Sequence, residues 1–196
     1  MRFQIVDFNN YKTAIQVQNE IFPTEDGTIN ILASLDRELF IKTTEVFYPD
    51  DNVKYYLVYN DNDLIGITGL YCNKELYPND VWIAWYGVLP KYRGKGFGEQ
   101  ILIKTMELGK KQGYETMRLY TDANESANAI NLYKKVGFIG EKYDAEELIY
   151  DCYIYSKSLT ESPTELWNNK MLELAFQTEL DHMDESRVKD ILNKYE

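Results

Sequence analysis

Apolar and polar residues along this chain follow two periods, and the switches between them mark its elements. Arg2 to Val6 alternates, with Phe3 and Ile5 on one face, and predicts a short strand. Tyr11, Ala14, Ile15, Gln18, Ile21 and Phe22 recur at helical spacing, so a helix is predicted over Tyr11 to Ile21, ended by Pro23. Thr24 to Gly27 reads as a loop. Leu32, Leu35 and Leu39 predict a second helix, with Ser34, Asp36, Arg37 and Glu38 largely outward, and Pro49 to Asn52 a turn. Val53 to Tyr59 and Leu64 to Cys72 are β-rich runs around Asn60-Asp61-Asn62-Asp63, the pattern of an antiparallel hairpin. Asn73 to Asp80 is a loop containing Pro78. Val81 to Val88 is the next strand, with Trp82, Ala84 and Tyr86 on one face and Ile83, Trp85 and Gly87 on the other.

A glycine-rich turn follows, and then Phe97, Ile101, Thr105 and Leu108 form one face of a helix that stops between Gly109 and Gly113. Thr116 to Thr121 is a strand with Met117, Leu119 and Thr121 on one face. A loop at Asp122-Ala123-Asn124 leads into a helix that ends at Val136, with Gly137 as the stop. Phe138 to Tyr143 and Leu148 to Lys157 are two further strands around the acidic turn Asp144 to Glu147. Ser162-Pro163-Thr164-Glu165 combines an N-cap serine, a proline at the first helical position and a capping-box glutamate, and predicts a helix with Trp167, Met171 and Leu174 on its apolar face. Val188, Ile191, Leu192 and Tyr195 predict a shorter last helix. The resulting order is β-α-α-β-β-β-α-β-α-β-β followed by a two-helix tail. It implies an α/β (α+β) fold with a mixed, mostly antiparallel central sheet flanked by helices. The unit from Val81 to Thr121 is expected to be a parallel, right-handed crossover.

The 196 residues suit one domain with an appendage, and a hydrophobic fraction of 44% is enough for a sizeable core. A net charge of −11 argues against general nucleic-acid binding and suits a cationic small substrate, although solubility explains it equally well. No apolar run reaches the roughly 20 residues that span a bilayer, and the N-terminus lacks a signal-peptide core. Cys72 and Cys152 sit far apart in strand-like runs and read as two buried thiols of a cytoplasmic protein, with a disulfide as the alternative. The only histidine is His182, which removes Ser-His-Asp and Cys-His mechanisms and a multi-histidine metal site from consideration.

Against that acidic background, Pro90-Lys91-Tyr92-Arg93-Gly94-Lys95-Gly96-Phe97-Gly98 stands out. It carries three basic residues and no acid, and it opens a helix. Glycines let the backbone approach a ligand and adopt positive φ, and the first helical amides suit an anion. The turn therefore reads as a phosphate site. The Walker pattern fails because Gly96, not Ser or Thr, follows Gly94-Lys95 and no glycine precedes Gly94 at the right offset. The dinucleotide pattern fails because Glu99 and Ile101 stand where its last glycine belongs.

Arg93-Gly94-Lys95-Gly96-Phe97-Gly98 instead resembles the Arg/Gln-x-x-Gly-x-Gly/Ala pyrophosphate motif of the GNAT family of acetyl-CoA-dependent N-acetyltransferases. Leu132-Tyr133-Lys134-Lys135-Val136-Gly137-Phe138 is similar to that family's Leu-Tyr-x-x-x-Gly-Phe signature. The resemblance frames residues 1–159 as the acetyltransferase domain and leaves 160–196 as a C-terminal helical extension. It implies a strand that splays from its neighbour, a pantetheine arm paired with the backbone near Val88, and a pyrophosphate on amides within Arg93, Gly94, Lys95, Gly96, Phe97 and Gly98. It implies Tyr133 as the general acid for the departing thiolate, since a phenol and a thiol have neighbouring pKa values. Among 17 tyrosines only its motif position distinguishes it. Asn124 is the candidate for a cofactor contact from the loop before the helix, although the family spacing falls on Ser126 and Asn124 also reads as an N-cap.

The resemblance implies a glutamate or a water chain as general base and assigns neither; Glu20, at the end of the first helix, and Tyr86 are the candidates, with Glu20 reading more readily as an exposed helix charge. Trp85 and Tyr86 are the candidates for lining the acceptor cleft, with Glu25 and Asp26 as acids near it. The implied activity is acetyl transfer from acetyl-CoA, as co-substrate and without metal, to a primary amine of a small molecule or peptide by direct attack in a ternary complex. The alternative is a non-catalytic acyl-CoA-binding or partner-docking module of the same fold. No nucleic-acid or membrane partner is expected. The tail packs on its own domain, or forms a homodimer contact or a lid.

Overall fold

The computed structural model describes residues 1–25, 27–35, 53–72, 77–122, 127–143 and 152–168, together with Asn193. The helical spacing near the N-terminus becomes helix α1 (Tyr11–Ile21), which buries Ala14, Val17, Gln18 and Ile21. Gln18 belongs to this stripe because its amide is consumed internally. Its Oε1 accepts the Gly27 N–H at 3.1 Å, and its Nε2 donates to the Glu25 carbonyl at 3.2 Å. That pair fixes the link to helix α2 (Thr28–Ala33). The second helix thus lies earlier than the leucine spacing predicts. Leu32 is buried in it, Leu35 lies in the turn after it, and Leu39 is outside the described residues, as are the Pro49 to Asn52 and Asp144 to Glu147 turns.

The strands are β1 (Arg2–Ile5), β2 (Lys54–Asn60), β3 (Asp63–Tyr71), β4 (Asp80–Ile83), β5 (Gly87–Val88), β6 (Thr116–Asp122), β7 (Ile139–Tyr143) and β8 (Cys152–Ser158). They form one sheet in the order β1-β2-β3-β4-β6-β8-β7, with β5 also paired to β3. The β2–β3 hairpin closes at Asn60↔Asp63, with Asp61 at φ 51° in the left-handed region, where a short polar residue is tolerated. Among the described residues only β4 and β6 pair in parallel, and helix α3 (Phe97–Lys111) lies between them in sequence. Helix α4 (Ala127–Val136) precedes the β7–β8 pair.

One face of the sheet packs on α3 and α4 through Val81, Ile83, Leu102, Met117, Tyr133 and Phe138. The other packs on α1 and α2 through Val17, Ile21, Ile31, Tyr55, Leu57 and Ile67. Cys72 and Cys152 are buried free thiols, and Cys72 Sγ lies 2.9 Å from the Tyr114 hydroxyl.

Two expectations need correction. The run from Val81 to Val88 is not one strand: it is broken at 84–86 into β4 and β5. The helix expected from Ser162 is also absent from residues 163–167. The local capping signal there is overridden by tertiary contacts that hold the backbone out of a helix. Thr164 Oγ1 accepts the Ser158 N–H at 3.1 Å, the Glu165 carbonyl accepts from Arg118 at 2.9 Å, and the Trp167 N–H donates to Glu141. The remainder of the two-helix tail lies outside the described residues, apart from Asn193.

Trp167 is fully buried, edge-on to Trp82 at 5.1 Å and tilted against Tyr77 at 4.8 Å. Trp167 itself therefore finds its partners inside the molecule, while Met171 and Leu174 lie outside the described residues. Trp167→Ala is expected to cost about 3 kcal/mol of stability in a urea titration. A loss below about 1 kcal/mol would show that this segment is not part of the cooperative core.

Candidate functional site

The break in the central strand is a β-bulge. Between the pairs Leu70↔Ile83 and Ile67↔Gly87, β3 advances three residues while the opposite chain advances four. The extra residue places Ala84 and Trp85 together on the α1 side, where both pack against the α1–α2 core. It also moves Tyr86 to the α3 side, where it packs with Ile83 against the other core. The strict alternation expected for this run thus ends at Ala84.

The bulge also opens the sheet. β4 pairs with β6 through Trp82↔Arg118, while β6 runs on to Asp122 paired only with β8. β5 follows β3 instead, leaving a gap between β5 and the outer half of β6. Leu89 donates to the Ile65 carbonyl at 2.9 Å, which marks 65 and 89 as a hydrogen-bonded pair. Val88, one residue earlier and opposite Gly66, is then a non-hydrogen-bonded position. Its N–H and carbonyl point away from β3. The carbonyl accepts Arg93 Nε at 3.0 Å, and Arg93 Nη2 donates to the Ile21 carbonyl at 3.2 Å. Arg93 therefore caps the C-terminal end of α1, a favourable place for a cation.

The glycine turn follows at once. Pro90–Tyr92 forms a single 3-10 turn, Gly94 and Gly96 take φ of 75° and 78°, and Gly96 is the N-cap of α3. A Cβ added at either glycine would meet nothing within 4 Å. These positions need glycine for their left-handed backbone, and the space above them is open. The first helical bond runs from Gln100 N to the Gly96 carbonyl, so the amides of Phe97, Gly98 and Glu99 have no acceptor within the helix. No side chain caps them. Lys91 and Lys95 are exposed and lie 5.0 and 5.3 Å from the Tyr92 ring centre. Glu99, the one acid of the first helical turn, is engaged by Lys135 Nζ at 2.6 Å. Open amides, a helix N-terminus and flanking cations together fit a phosphate-bearing ligand.

Two tyrosines stand behind this turn. The Tyr86 hydroxyl donates to the Gly98 carbonyl at 2.5 Å. Its pKa is held well above the usual phenol value, first by burial and then by Tyr133 and Glu99 nearby. Tyr133, in the last turn of α4, is 7% exposed, with its ring 5.6 Å from Tyr155 and 6.2 Å from Phe138.

A sequence model of the acetyltransferase (GNAT) family matches residues 19–138. The chain belongs to this family. It is 33% identical over 72 residues to the uncharacterised N-acetyltransferase YvbK of Bacillus subtilis strain 168, a match that covers 37% of this chain and 46% of that relative. The chain therefore spans about half the length of the curated relative it matches. Among solved structures, the ribosomal-protein-S18-alanine N-acetyltransferase of Escherichia coli superposes with a TM-score of 0.57 at 13% identity, over 85% of this chain and 98% of that one. Mutant forms of the spermidine/spermine N-acetyltransferase SpeG of Vibrio cholerae give 0.58 at 15% identity, over 81% and 94%. At these identities the likeness is one of fold.

Within this GNAT frame, Val88, Arg93, Gly94, Lys95, Gly96, Phe97, Gly98 and Tyr86 lie around the gap and the start of α3, and Tyr133 lies near Tyr86, buried in the core on the α3–α4 side of the sheet. Trp85 does not join them. It faces α1, with its ring 5.0 Å from that of Phe22. Glu20 is exposed on the last turn of α1, and Glu25 is exposed in the loop beyond it. Asn124, Ser126 and Asp26 lie outside the described residues. Among the described residues, no three His, Cys, Asp or Glu side chains come together as a metal site, and no helix is long and apolar enough to cross a membrane.

Apolar periodicity gives no sign of Arg118, which is 2% exposed on the last rung of the β4–β6 ladder and pairs with Asp80 at 2.7 Å. A lone arginine between Met117 and Leu119 is the sole local signal for it, because its partner lies 38 residues away.

Proposed function

We propose that this chain is an acetyl-CoA-dependent N-acetyltransferase that acts on a primary amine of a small molecule or peptide by direct attack in a ternary complex. The observation that carries the reading is the bulge-opened gap, into which Val88 turns its N–H and which leads onto the open amides of the glycine turn. Acetyl-CoA supplies an activated acyl group and a good leaving thiolate. The amides of the α3 start, with Lys95 beside them, would hold its pyrophosphate, and the Val88 backbone would pair with its pantetheine arm. The backbone N–H of Val88, turned away from β3, would be available to stabilise negative charge developing on the thioester oxygen. Tyr133 would give its proton to the departing sulfur.

Asn124 is retained as a cofactor contact, Glu20 as a candidate base, and Trp85 with Phe22 as part of the acceptor wall. An amine acceptor is supported by the solved neighbours, which are named for alanine and spermidine N-acetylation. The net charge of −11 favours a cationic one.

Calorimetric titration with coenzyme A tests the donor half. Gly96→Val must adopt a left-handed backbone at a cost of ~1–2 kcal/mol, or else displace the amides. Affinity is expected to fall by about 10-fold or more. Unchanged affinity would remove the turn from the donor site. Product formation from acetyl-CoA across a panel of amines separates the enzyme from a non-catalytic binding module.

A further inference from the structure

The start of α3 presents a physical conflict. Gly96 caps α3 with a left-handed backbone and offers the first amides no side chain, whereas an ordinary serine or aspartate N-cap, in extended backbone, would bond one of them. Such a cap would bond to the very amides that a pyrophosphate needs. The helix must therefore be restrained through groups other than its N–H donors. Among the described residues, Phe97 packs edge-on against Tyr92 at 6.2 Å, and two polar side-chain contacts add to this. The Lys135–Glu99 pair is solvent-exposed on its lysine side, where ion pairs contribute little. The other contact is the Tyr86 hydroxyl on the Gly98 carbonyl, on the inner side of the helix. Gly98 is closely approached there: a Cβ on it would lie 3.4 Å from the Tyr86 hydroxyl, 3.5 Å from Leu132 and 3.9 Å from Val88.

We propose that Tyr86 is a positioning residue for the donor site: delivered to the helix side by the bulge, its hydroxyl holds the first turn of α3 by a carbonyl and so aims the uncapped amides at the pyrophosphate. Burial keeps this phenol protonated across the working pH range, so the restraint persists. This role lies on the donor side, distinct from the acceptor-lining one that sequence alone suggests for Tyr86. The inference rests on coenzyme A being the ligand of the turn.

The test is Tyr86→Phe, which keeps the ring and removes the hydroxyl. Coenzyme A affinity, measured by calorimetry, is expected to fall about 10-fold, whereas kcat/KM with S-acetylpantetheine, which has the thioester but no pyrophosphate, falls by a clearly smaller factor. Wild-type affinity in the variant overturns the proposal. So does an equal loss with both donors, because the hydroxyl would then act at the thioester or on the fold at large. A wild-type protein that does not bind coenzyme A overturns the donor reading itself, and this inference with it.

Discussion

Tyr133→Phe is expected to lower kcat by about 100-fold or more while coenzyme A affinity stays within about twofold of wild type. The variant keeps the aromatic ring, and the ring makes the packing contacts: Tyr155 at 5.6 Å and Phe138 at 6.2 Å. Folding and the helix that carries it should therefore survive, and the loss isolates the hydroxyl. A phenol and a thiol have neighbouring pKa values, ~10 and ~8.5, so moving a proton from one to a developing thiolate is not steeply uphill. Without that proton the thiolate leaves as an anion in a site with a tyrosine-lined back wall. Single-turnover measurement of acetyl transfer, with coenzyme A binding measured in parallel, separates the two quantities. A kcat within about threefold of wild type would return Tyr133 to the core as a packing residue.

Where sequence and structure agree, one period dominated a segment. Helix α1 takes the predicted limits, because its apolar stripe is regular and its end is marked by Pro23. The hairpin follows from four turn formers between two β-rich runs, and the parallel β4–β6 unit from the helix between its strands. The glycine turn was legible because positive φ and uncapped amides are local demands that only certain residues meet. The bulge was not. Trp82, Ile83, Trp85, Tyr86 and Val88 are apolar or aromatic on both faces, so the alternation carries no mark of an extra residue. That single hidden residue decides which side of the sheet Trp85 and Tyr86 face.

The segment from Ser162 fails for the opposite reason. Its local signal is strong, but a capping box contributes only ~1 kcal/mol. Burial of a tryptophan between Trp82, Tyr77 and the Arg118 guanidinium outweighs that. Helix α2 starts early because Gln18, placed on the buried stripe of α1 by its spacing, organises the preceding loop from within the core through amide bonds that the spacing does not reveal.

The same contacts make Arg118 the residue whose loss should damage the fold most. Its Nε bonds Asp80 at 2.7 Å, its Nη1 bonds the Ser156 hydroxyl at 2.6 Å and the Glu165 carbonyl at 2.9 Å, and its guanidinium lies 5.3 Å from the Trp167 ring centre. Arg118→Ala would strand the Asp80 carboxylate, 8% exposed, without its cation. Breaking one side of a buried pair costs about 3–5 kcal/mol, a large part of the ~5–15 kcal/mol that holds a typical domain together.

The loss should also reach the site. Trp82↔Arg118 is the last rung before β4 and β6 part, so weakening it widens the gap from its closed end and loosens the 160–168 segment. A double variant, Asp80→Leu with Arg118→Met, distinguishes the pair from its burial. Replacing a buried ion pair by packed apolar side chains is often close to neutral, so the double variant should recover much of the stability lost by Arg118→Ala alone. Urea titrations of the single and double variants supply the comparison. If Arg118→Ala shifts stability by less than about 1 kcal/mol, the cluster is not the clasp between the sheet and the segment after β8.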